Sequence, residues 1–484
     1  MKLSELLAPW MPVMTDCEVL GIEQDSRKIK PGDVFLAYPG TTFDGRVFIE
    51  TALKQGAVAV LYTPQDWPHV MDDRCVPFEN LAQLRGEIAS RFFNHPSQKI
   101  EVIGVTGTNG KTTIAYLLAQ AYTRLRRPAM YLGTLGFGAP GAISTTGLTT
   151  PDPVLLQSLL ASTYREGTQA LCMEVSSHAL SQGRVSGVLF KGAIFTNLTH
   201  DHLDYHHTMD AYAEAKAQLF NRTELSFVVI NQDDAYAEVM KSHVAPATKI
   251  YTYGFNATSD IHASNIVLHR HGSTFRLHSP WGEWDIQIKL IGAFNVYNTL
   301  AVITTLGAAG FNMDEVAALM SELSASPGRM EIVHEHPCVV VDYAHTPDAL
   351  ENALKTLREL KENSLCVVFG CGGDRDKTKR PVMGEIASRY ADRVMITSDN
   401  PRTEDPLVII EEIQEGVIQG KSTVTQEQDR KKAIFSVLKS VTKQDIVLIA
   451  GKGHENYQQI GLNRYPFSDQ AVVLEYYKFV ELDA

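Results

Sequence analysis

Short, unbroken apolar runs recur along the chain, and most are followed by a polar, glycine-rich stretch and a segment of helical period. The run 100–105 (Ile-Glu-Val-Ile-Gly-Val) predicts a strand covered on both faces. Residues 112–126 carry Leu117, Leu118, Ala121 and Leu125 on one face and predict a helix. Earlier, 34–38 predicts a strand stopped by Pro39-Gly40, 48–55 a helix and 57–61 a second strand, which is β-α-β in miniature. Buried strands are also expected over 170–175 and 193–197. Four more, at 339–341, 365–369, 394–397 and 446–450, each release a polar loop at the carboxyl end. In an open α/β sheet that edge is where ligands bind. Between 249 and 291 the pattern shortens, as in Phe275-Arg276-Leu277-His278, and predicts a β-rich segment; an apolar helix then runs from 292 to 307. The chain is read as α/β, with units at 1–98, 99–328 and 329–484.

Composition narrows the function classes. The 484 residues suffice for two to four domains, and 44% are hydrophobic, enough for substantial cores. The net charge of -12, from 44 basic and 56 acidic side chains, argues against a nucleic-acid-binding surface. Cys17, Cys75, Cys172, Cys338, Cys366 and Cys371 show no metal-type pairing and read as reduced thiols of a cytosolic protein. The N-terminus lacks a signal-peptide pattern, and no apolar run of membrane-spanning length occurs.

The chemistry concentrates where strands end. Thr106-Gly107-Thr108-Asn109-Gly110-Lys111-Thr112-Thr113 joins the 100–105 strand to its helix. The glycines let backbone N–H groups turn toward phosphate oxygens. The helix N-terminus adds partial positive charge, Lys111 a full one, and Thr112 a hydroxyl for Mg²⁺. This is a nucleoside triphosphate loop with one departure: the strict pattern has glycine at 105, where Val105 stands, and glycine sits at 107 instead. Glu174 closes a later strand and is placed to hold Mg²⁺. The run 199–207 is the densest ligand-type cluster. His200, His202 and Asp204 fit a zinc-hydrolase H-x-H-x-D-H, but Tyr205 stands where that pattern needs histidine, so a Mg²⁺ ligand beside ATP is the better reading. The hydroxyl-rich loop 144–152 reads as a helix cap. Lys216 falls on an apolar stripe of a helix over 210–220, with no carboxylate three or four residues away. It is either a snorkelling lysine or a desolvated amine that can take up CO₂ as a carbamate; the residues leave both open. Asn295 and Asn298 either read a base or cap a helix. Thr442-Lys443-Gln444-Asp445 is a GTPase-like tetrad, but it precedes a strand where a GTPase has it after one.

Together with E-V-S-S-H at 174–178, T-N-L-T-H-D-H-L-D-Y-H at 196–206, A-K at 215–216, G-A-F-N-V-Y-N at 292–298, D-Y-A-H-T-P-D-A-L at 342–350, G-C-G-G-D-R-D-K at 370–377 and A-G-K-G-H-E at 450–455, the loop resembles the Mur ligase family, from about residue 20 onward. The resemblance implies three α/β domains: an N-terminal UDP-sugar-binding domain, a central P-loop ATPase domain and a Rossmann-like C-terminal domain for the amino acid. It implies an ATP-dependent acid–amino-acid ligase of peptidoglycan synthesis, acting through an acyl phosphate of UDP-MurNAc-L-Ala-D-Glu. Lys111, Glu174, His202 and Lys216 match the family's catalytic positions. Thr112, Glu174, His202 and Lys216, the last as N6-carboxylysine, match its Mg²⁺ site. Gly107, Thr108, Asn109, Gly110, Lys111, Thr112, Thr113, Asn295, Arg329, Asp342 and His345 match ATP contacts. Gln24, Ser26, Thr149, Thr150, Ser176, Gln182 and Arg184 match contacts to the UDP-MurNAc-dipeptide. Arg375, Asp399, Asn400, Pro401, Arg402, Gly451 and Glu455 match the amino-acid site.

Asp399-Asn400-Pro401-Arg402 resembles the signature of members that add meso-diaminopimelate. The distal carboxylate of that substrate is absent from lysine, and an arginine can bind it in bidentate fashion. The alternatives are the same reaction with L-lysine, or another Mur or folylpolyglutamate-type amide ligase. A cytoplasmic monomer without nucleic-acid partners or a membrane span is expected. The chain departs from relatives at Thr41-Thr42-Phe43, on the uridine side, and at Leu148.

Overall fold

The computed structural model describes residues 1–13, 15–40, 43–68 and 72–482, so Thr41 and Thr42 lie outside the described residues. The chain forms two compact units: Met1–Tyr253 with Thr304–Phe311, and Gly254–Ile303 with Asn312–Ala484.

The first unit opens with a small parallel sheet whose strands Gly21–Glu23, Asp33–Ala37, Ala59–Tyr62 and Cys75–Pro77 lie side by side in chain order. The expected β-α-β unit is there, with the helix shortened to Ile49–Lys54 and preceded by a 3-10 turn, Gly45–Phe48, capped by Asp44. A larger parallel sheet follows. Its strands run Lys249–Gly254, Phe227–Asn231, Gly192–Phe195, Glu101–Thr106, Ala170–Glu174 and Ala129–Gly133 across the sheet. Glu101–Thr106 sits in the middle and is covered on both faces, which is why it reads as a near-continuous apolar run. Its helix, Lys111–Arg124, ends two residues before the predicted stop, because Arg126 turns the chain in a left-handed conformation.

One expectation needs correction. Residues from 249 were read as the start of the β-rich segment, yet Lys249–Gly254 pairs in parallel with Phe227–Asn231. Its buried Tyr251 and Tyr253 supply the apolar side chains that this position demands. The antiparallel meander itself is Ile261–His269, Gly272–Ser279 and Gly282–Ile288, in the second unit.

The rest of the second unit is a doubly wound sheet in the order Glu331–His334, Cys338–Asp342, Ile446–Ala450, Leu365–Phe369, Arg393–Ile396, Thr423–Gln426, parallel except at the first strand. The four strands expected to carry polar loops are adjacent, so those loops gather along one edge. Ile446–Ala450 fills the slot the chain skipped between Cys338–Asp342 and Leu365–Phe369, and this reversal opens a crevice at the carboxyl ends. A final hairpin, Tyr457–Ile460 with Asn463–Pro466, was not foreseen. Among the described residues no helix is long and apolar enough to cross a membrane.

Beneath that edge, Arg430 and Asp469 form a fully buried ion pair through two hydrogen bonds of 2.8 Å, and Arg430 also donates to the Ala450 carbonyl at 3.0 Å. The pair ties helix Arg430–Ser440 to helix Asp469–Leu482 and to the strand end that carries Gly451. Asp469→Ala leaves a guanidinium buried without its counter-charge; urea unfolding should show a loss of about 3–5 kcal/mol. A loss under about 1 kcal/mol would mean that the pair does not hold these elements.

Candidate functional site

In the first unit the phosphate loop is strapped to the neighbouring strand end. Thr108 N donates to the Asn197 carbonyl at 2.8 Å, Asn109 N to Asn197 Oδ1 at 2.9 Å, and Thr196 Oγ1 to the Asn109 carbonyl at 2.6 Å. Gly107 has φ 145°, and a Cβ there would lie 1.8 Å from Thr196 Oγ1, so only glycine fits. Its carbonyl accepts from Lys111 Nζ at 2.8 Å and from Lys216 Nζ at 2.9 Å. Lys216 is 1% exposed, so it does not snorkel. Burial first, and the Lys111 charge second, push its amine well below the ordinary lysine range.

Glu174 ends the strand next to the loop strand, in register with Val105. Its carboxylate accepts from Tyr131 Oη at 2.5 Å, Thr134 N at 2.9 Å and Thr134 Oγ1 at 3.2 Å. His202 has φ 54° and lies 5.0 Å from His178 and 6.0 Å from Tyr212, ring to ring. The Lys216 amine lies 4.4 Å from that same Tyr212 ring. Among the described residues no three His, Cys, Asp or Glu side chains converge as metal ligands. A hard cation here would draw on the Thr112 hydroxyl, Glu174, His202, phosphate oxygens and one more carboxylate-like group.

The hydroxyl loop divides in two. Asp152 caps helix Pro153–Arg165, accepting from Val154 N and Leu155 N. Thr149 and Thr150 take no part in the cap. Thr149 Oγ1 is 3.1 Å from Thr134 Oγ1, and Thr150 Oγ1 donates to the Glu174 carbonyl at 2.9 Å and accepts from Ser176 N at 3.2 Å. Arg184 donates to the Thr150 carbonyl and to Gln182 Oε1, so five of the seven expected dipeptide-side residues form one connected group. Gln24 accepts from Tyr38 Oη at 3.0 Å, and Ser26 is buried nearby in the turn Ser26–Lys28. Arg85, which sequence reasoning missed, links the two parts: it lies over Tyr38 at 4.8 Å and donates to the Gln182 carbonyl at 2.6 Å. A lone arginine in a helix gives no sequence signal of such a role.

In the second unit Asp342 accepts from Met330 N at 2.7 Å, the Arg329 guanidinium lies 4.8 Å from the Tyr343 ring, and His345 lies 4.5 Å from that ring. Asn295 is turned into its own helix, donating to the Ile291 carbonyl and accepting from Asn298. Asp445, of the GTPase-like tetrad, holds Thr442, Asn363 and Ser364 and is structural.

A cavity of about 510 Å³ opens at the carboxyl edge, and Arg375, Asp399, Asn400, Arg402, Gly451 and Glu455 all line it. Arg402 Nη1 donates to the Gly373 carbonyl at 2.6 Å, and a Cβ on Gly372 would lie 2.9 Å from that nitrogen. Asn400 Nδ2 donates to Glu455 Oε2 at 2.8 Å. Lys452, fully buried, donates to Asn400 Oδ1 and Glu455 Oε2, both at 3.1 Å. Lys452 went unassigned in the sequence, although its place three residues before Glu455 was a usable signal.

Three family models cover most of the chain: the Mur ligase family catalytic domain at 18–93, the Mur ligase middle domain at 105–306 and the Mur ligase glutamate ligase domain at 328–453. A Coxiella burnetii protein named UDP-N-acetylmuramoyl-L-alanyl-D-glutamate–2,6-diaminopimelate ligase is 43% identical, over 96% of this chain and 97% of its own length. A Chromobacterium violaceum protein of the same name is 44% identical over 97% of each. A solved structure of a ligase so named is 36% identical, with a TM-score of 0.77 over 99% of this chain and 100% of its own. A Thermotoga maritima MurF solved in complex with ADP shares the fold at 19% identity and a TM-score of 0.64, over 96% of this chain and 98% of its own.

His454 supplies a pH test. Burial, aided by Arg329, pushes its imidazole down to about 4 from 6.5, and its Nδ1 has no hydrogen-bond partner among the described residues. The unfolded chain therefore binds the extra proton first as pH falls, and folding stability drops between 6.5 and about 4. His454→Gln should flatten that drop in urea titrations; an unchanged slope would mean that His454 titrates as in the unfolded chain.

Proposed function

The chain belongs to the Mur ligase family, and we propose that it joins meso-diaminopimelate to the D-glutamyl γ-carboxylate of UDP-MurNAc-L-Ala-D-Glu, converting ATP to ADP and phosphate. The observation that carries the choice of amino acid is the cavity in which Arg402, Asn400 and Glu455 meet. The distal carbon of diaminopimelate bears both a carboxylate and an ammonium group, matching Arg402 and Glu455. Lysine has only the ammonium, so it would leave the Arg402 guanidinium without a carboxylate counter-charge, held only by the Gly373 carbonyl. The substrates and six unpaired cysteines fit a cytoplasmic enzyme.

In the first step a γ-carboxylate oxygen of D-glutamate attacks the γ-phosphorus of ATP, and the bond to ADP breaks. In the second, the neutral α-amine of the incoming amino acid attacks the acyl phosphate carbon. The tetrahedral intermediate collapses, phosphate leaves and the nitrogen gives up a proton. The loop N–H groups and Lys111 hold the phosphates and offset the charge of the transferring group. Thr149, Thr150, Ser176, Gln182 and Arg184 orient the dipeptide end, and Asp342, His345, Arg329 and Asn295 serve the nucleotide. Thr112, Glu174, His202 and a carbamylated Lys216 are the residues that would hold Mg²⁺, which supplies neutralisation of phosphate charge when bound. The depressed Lys216 amine supports the carbamate: a neutral amine adds to CO₂ and releases one proton, turning an uncharged buried side chain into an anion.

Phosphate release should follow diaminopimelate and be weak with L-lysine, and Arg402→Ala should lower kcat/KM for diaminopimelate about a hundredfold or more. Preferred use of lysine would overturn the amino-acid assignment while leaving the ligase. Lys216→Ala should lower kcat about a hundredfold or more, with partial rescue by formate or acetate, and Lys216→Arg should stay inactive. Full activity in Lys216→Arg would exclude the carbamate.

A further inference from the structure

The Tyr457–Ile460/Asn463–Pro466 hairpin lines the amino-acid cavity without an assigned role, and it is built into the site through its backbone. Gln459 N donates to Asn400 Oδ1 at 2.8 Å, and the Gln459 carbonyl accepts from Arg402 N at 3.1 Å. Gly461 N donates to the Arg402 carbonyl at 2.6 Å. These bonds fix Arg402 at φ 51°, a left-handed conformation that a non-glycine residue keeps only when its surroundings over-determine it.

Across the hairpin Arg464 is the register partner of Gln459, so the two side chains share a face. That face lines the cavity through Tyr457, Gln459 and Arg464. The Arg464 guanidinium lies 4.4 Å from the Tyr457 ring, which braces an otherwise exposed side chain at the mouth. With Arg464 counted, Arg375, Lys379, Arg402 and Arg464 face three lining carboxylates, and the cavity carries a net positive charge.

We propose that Arg464 is a specificity-determining residue of this site: it pairs with a carboxylate of the incoming diamino dicarboxylate and repels amino acids whose distal end is a bare ammonium. The inference rests on the functional reading above and deepens it, by dividing selection between an inner arginine held by backbone and an outer one at the entrance. The interaction is partly exposed, so its effect belongs in KM and weakens with salt.

The test is steady-state phosphate release by the full chain, with meso-diaminopimelate and with L-lysine, for wild type, Arg464→Gln, Arg464→Glu and Arg464→Lys. Arg464→Gln should raise KM for diaminopimelate about tenfold and Arg464→Glu further, with kcat within about twofold. KM for ATP and for the UDP-dipeptide should hold, Arg464→Lys should restore most of the loss, and kcat/KM for lysine should stay level or rise. The KM of wild type should climb with ionic strength more than that of Arg464→Gln. KM for diaminopimelate within twofold of wild type in both the Gln and Glu variants, or an equal loss with both amino acids, would overturn the inference and leave the ligase reading intact. Wild type that uses lysine and not diaminopimelate would overturn the amino-acid reading first, and this inference with it.

Discussion

A single carbonyl organises the glycine-rich loop of the first unit. The Gly107 oxygen accepts from Lys111, four residues on, and from Lys216, 109 residues on. Two amines on one acceptor are electrostatically costly if both carry charge, and burial adds to the cost for Lys216. Lys111 is the more exposed of the two, while the buried Lys216 is driven toward the neutral form. The arrangement exists because Gly107 adopts φ 145° beside Thr196, where any side chain would collide. Loop conformation, the helix that carries Lys216 and the chemistry open to its amine are thus one constraint seen from three sides.

The carboxyl-edge cavity of the second unit rests on the opposite principle, backbone fixing side chains. Four adjacent strands end on one edge because Ile446–Ala450 inserts between its neighbours. Arg402 is held by hydrogen bonds to its own N–H and carbonyl, and its guanidinium by Gly373. Asn400 and Glu455 are locked together by buried Lys452. A discriminating site needs this rigidity, since a movable arginine would accommodate lysine by swinging into solvent.

Legibility differed between the two ends for a physical reason. Motifs such as Thr106–Thr113 and Asp399–Arg402 are contiguous, so their spacing carries a signal even though the contacts that hold them, to Asn197 and Gln459, lie elsewhere in the chain. Arg85, Tyr131 and Thr134 meet Gln182 and Glu174 across 40 or more residues of chain, Arg464 meets Tyr457 across a hairpin, and no contiguous motif marks any of them. The 144–152 loop shows the boundary between the two cases. Its cap was foreseen, but the division between Asp152 at the helix and Thr149 and Thr150 at Glu174 depends on a strand more than twenty residues on.

The sequence by itself determined the strand–loop–helix alternation and the α/β class, and it marked Thr106–Thr113 and Arg402 as candidates, because each follows from local periodicity, turn chemistry or a contiguous motif. Residues 249–254 read as the start of the meander and proved to be a parallel strand, since a short strand reads the same in both until its partner is known. Only the tertiary structure decided that Lys216 is buried beside Lys111, that Lys452 clamps Asn400 to Glu455, and that a late hairpin brings Arg464 to the cavity. Desolvation and charge pairing are properties of what surrounds a side chain, and surroundings are set by packing rather than by spacing along the chain.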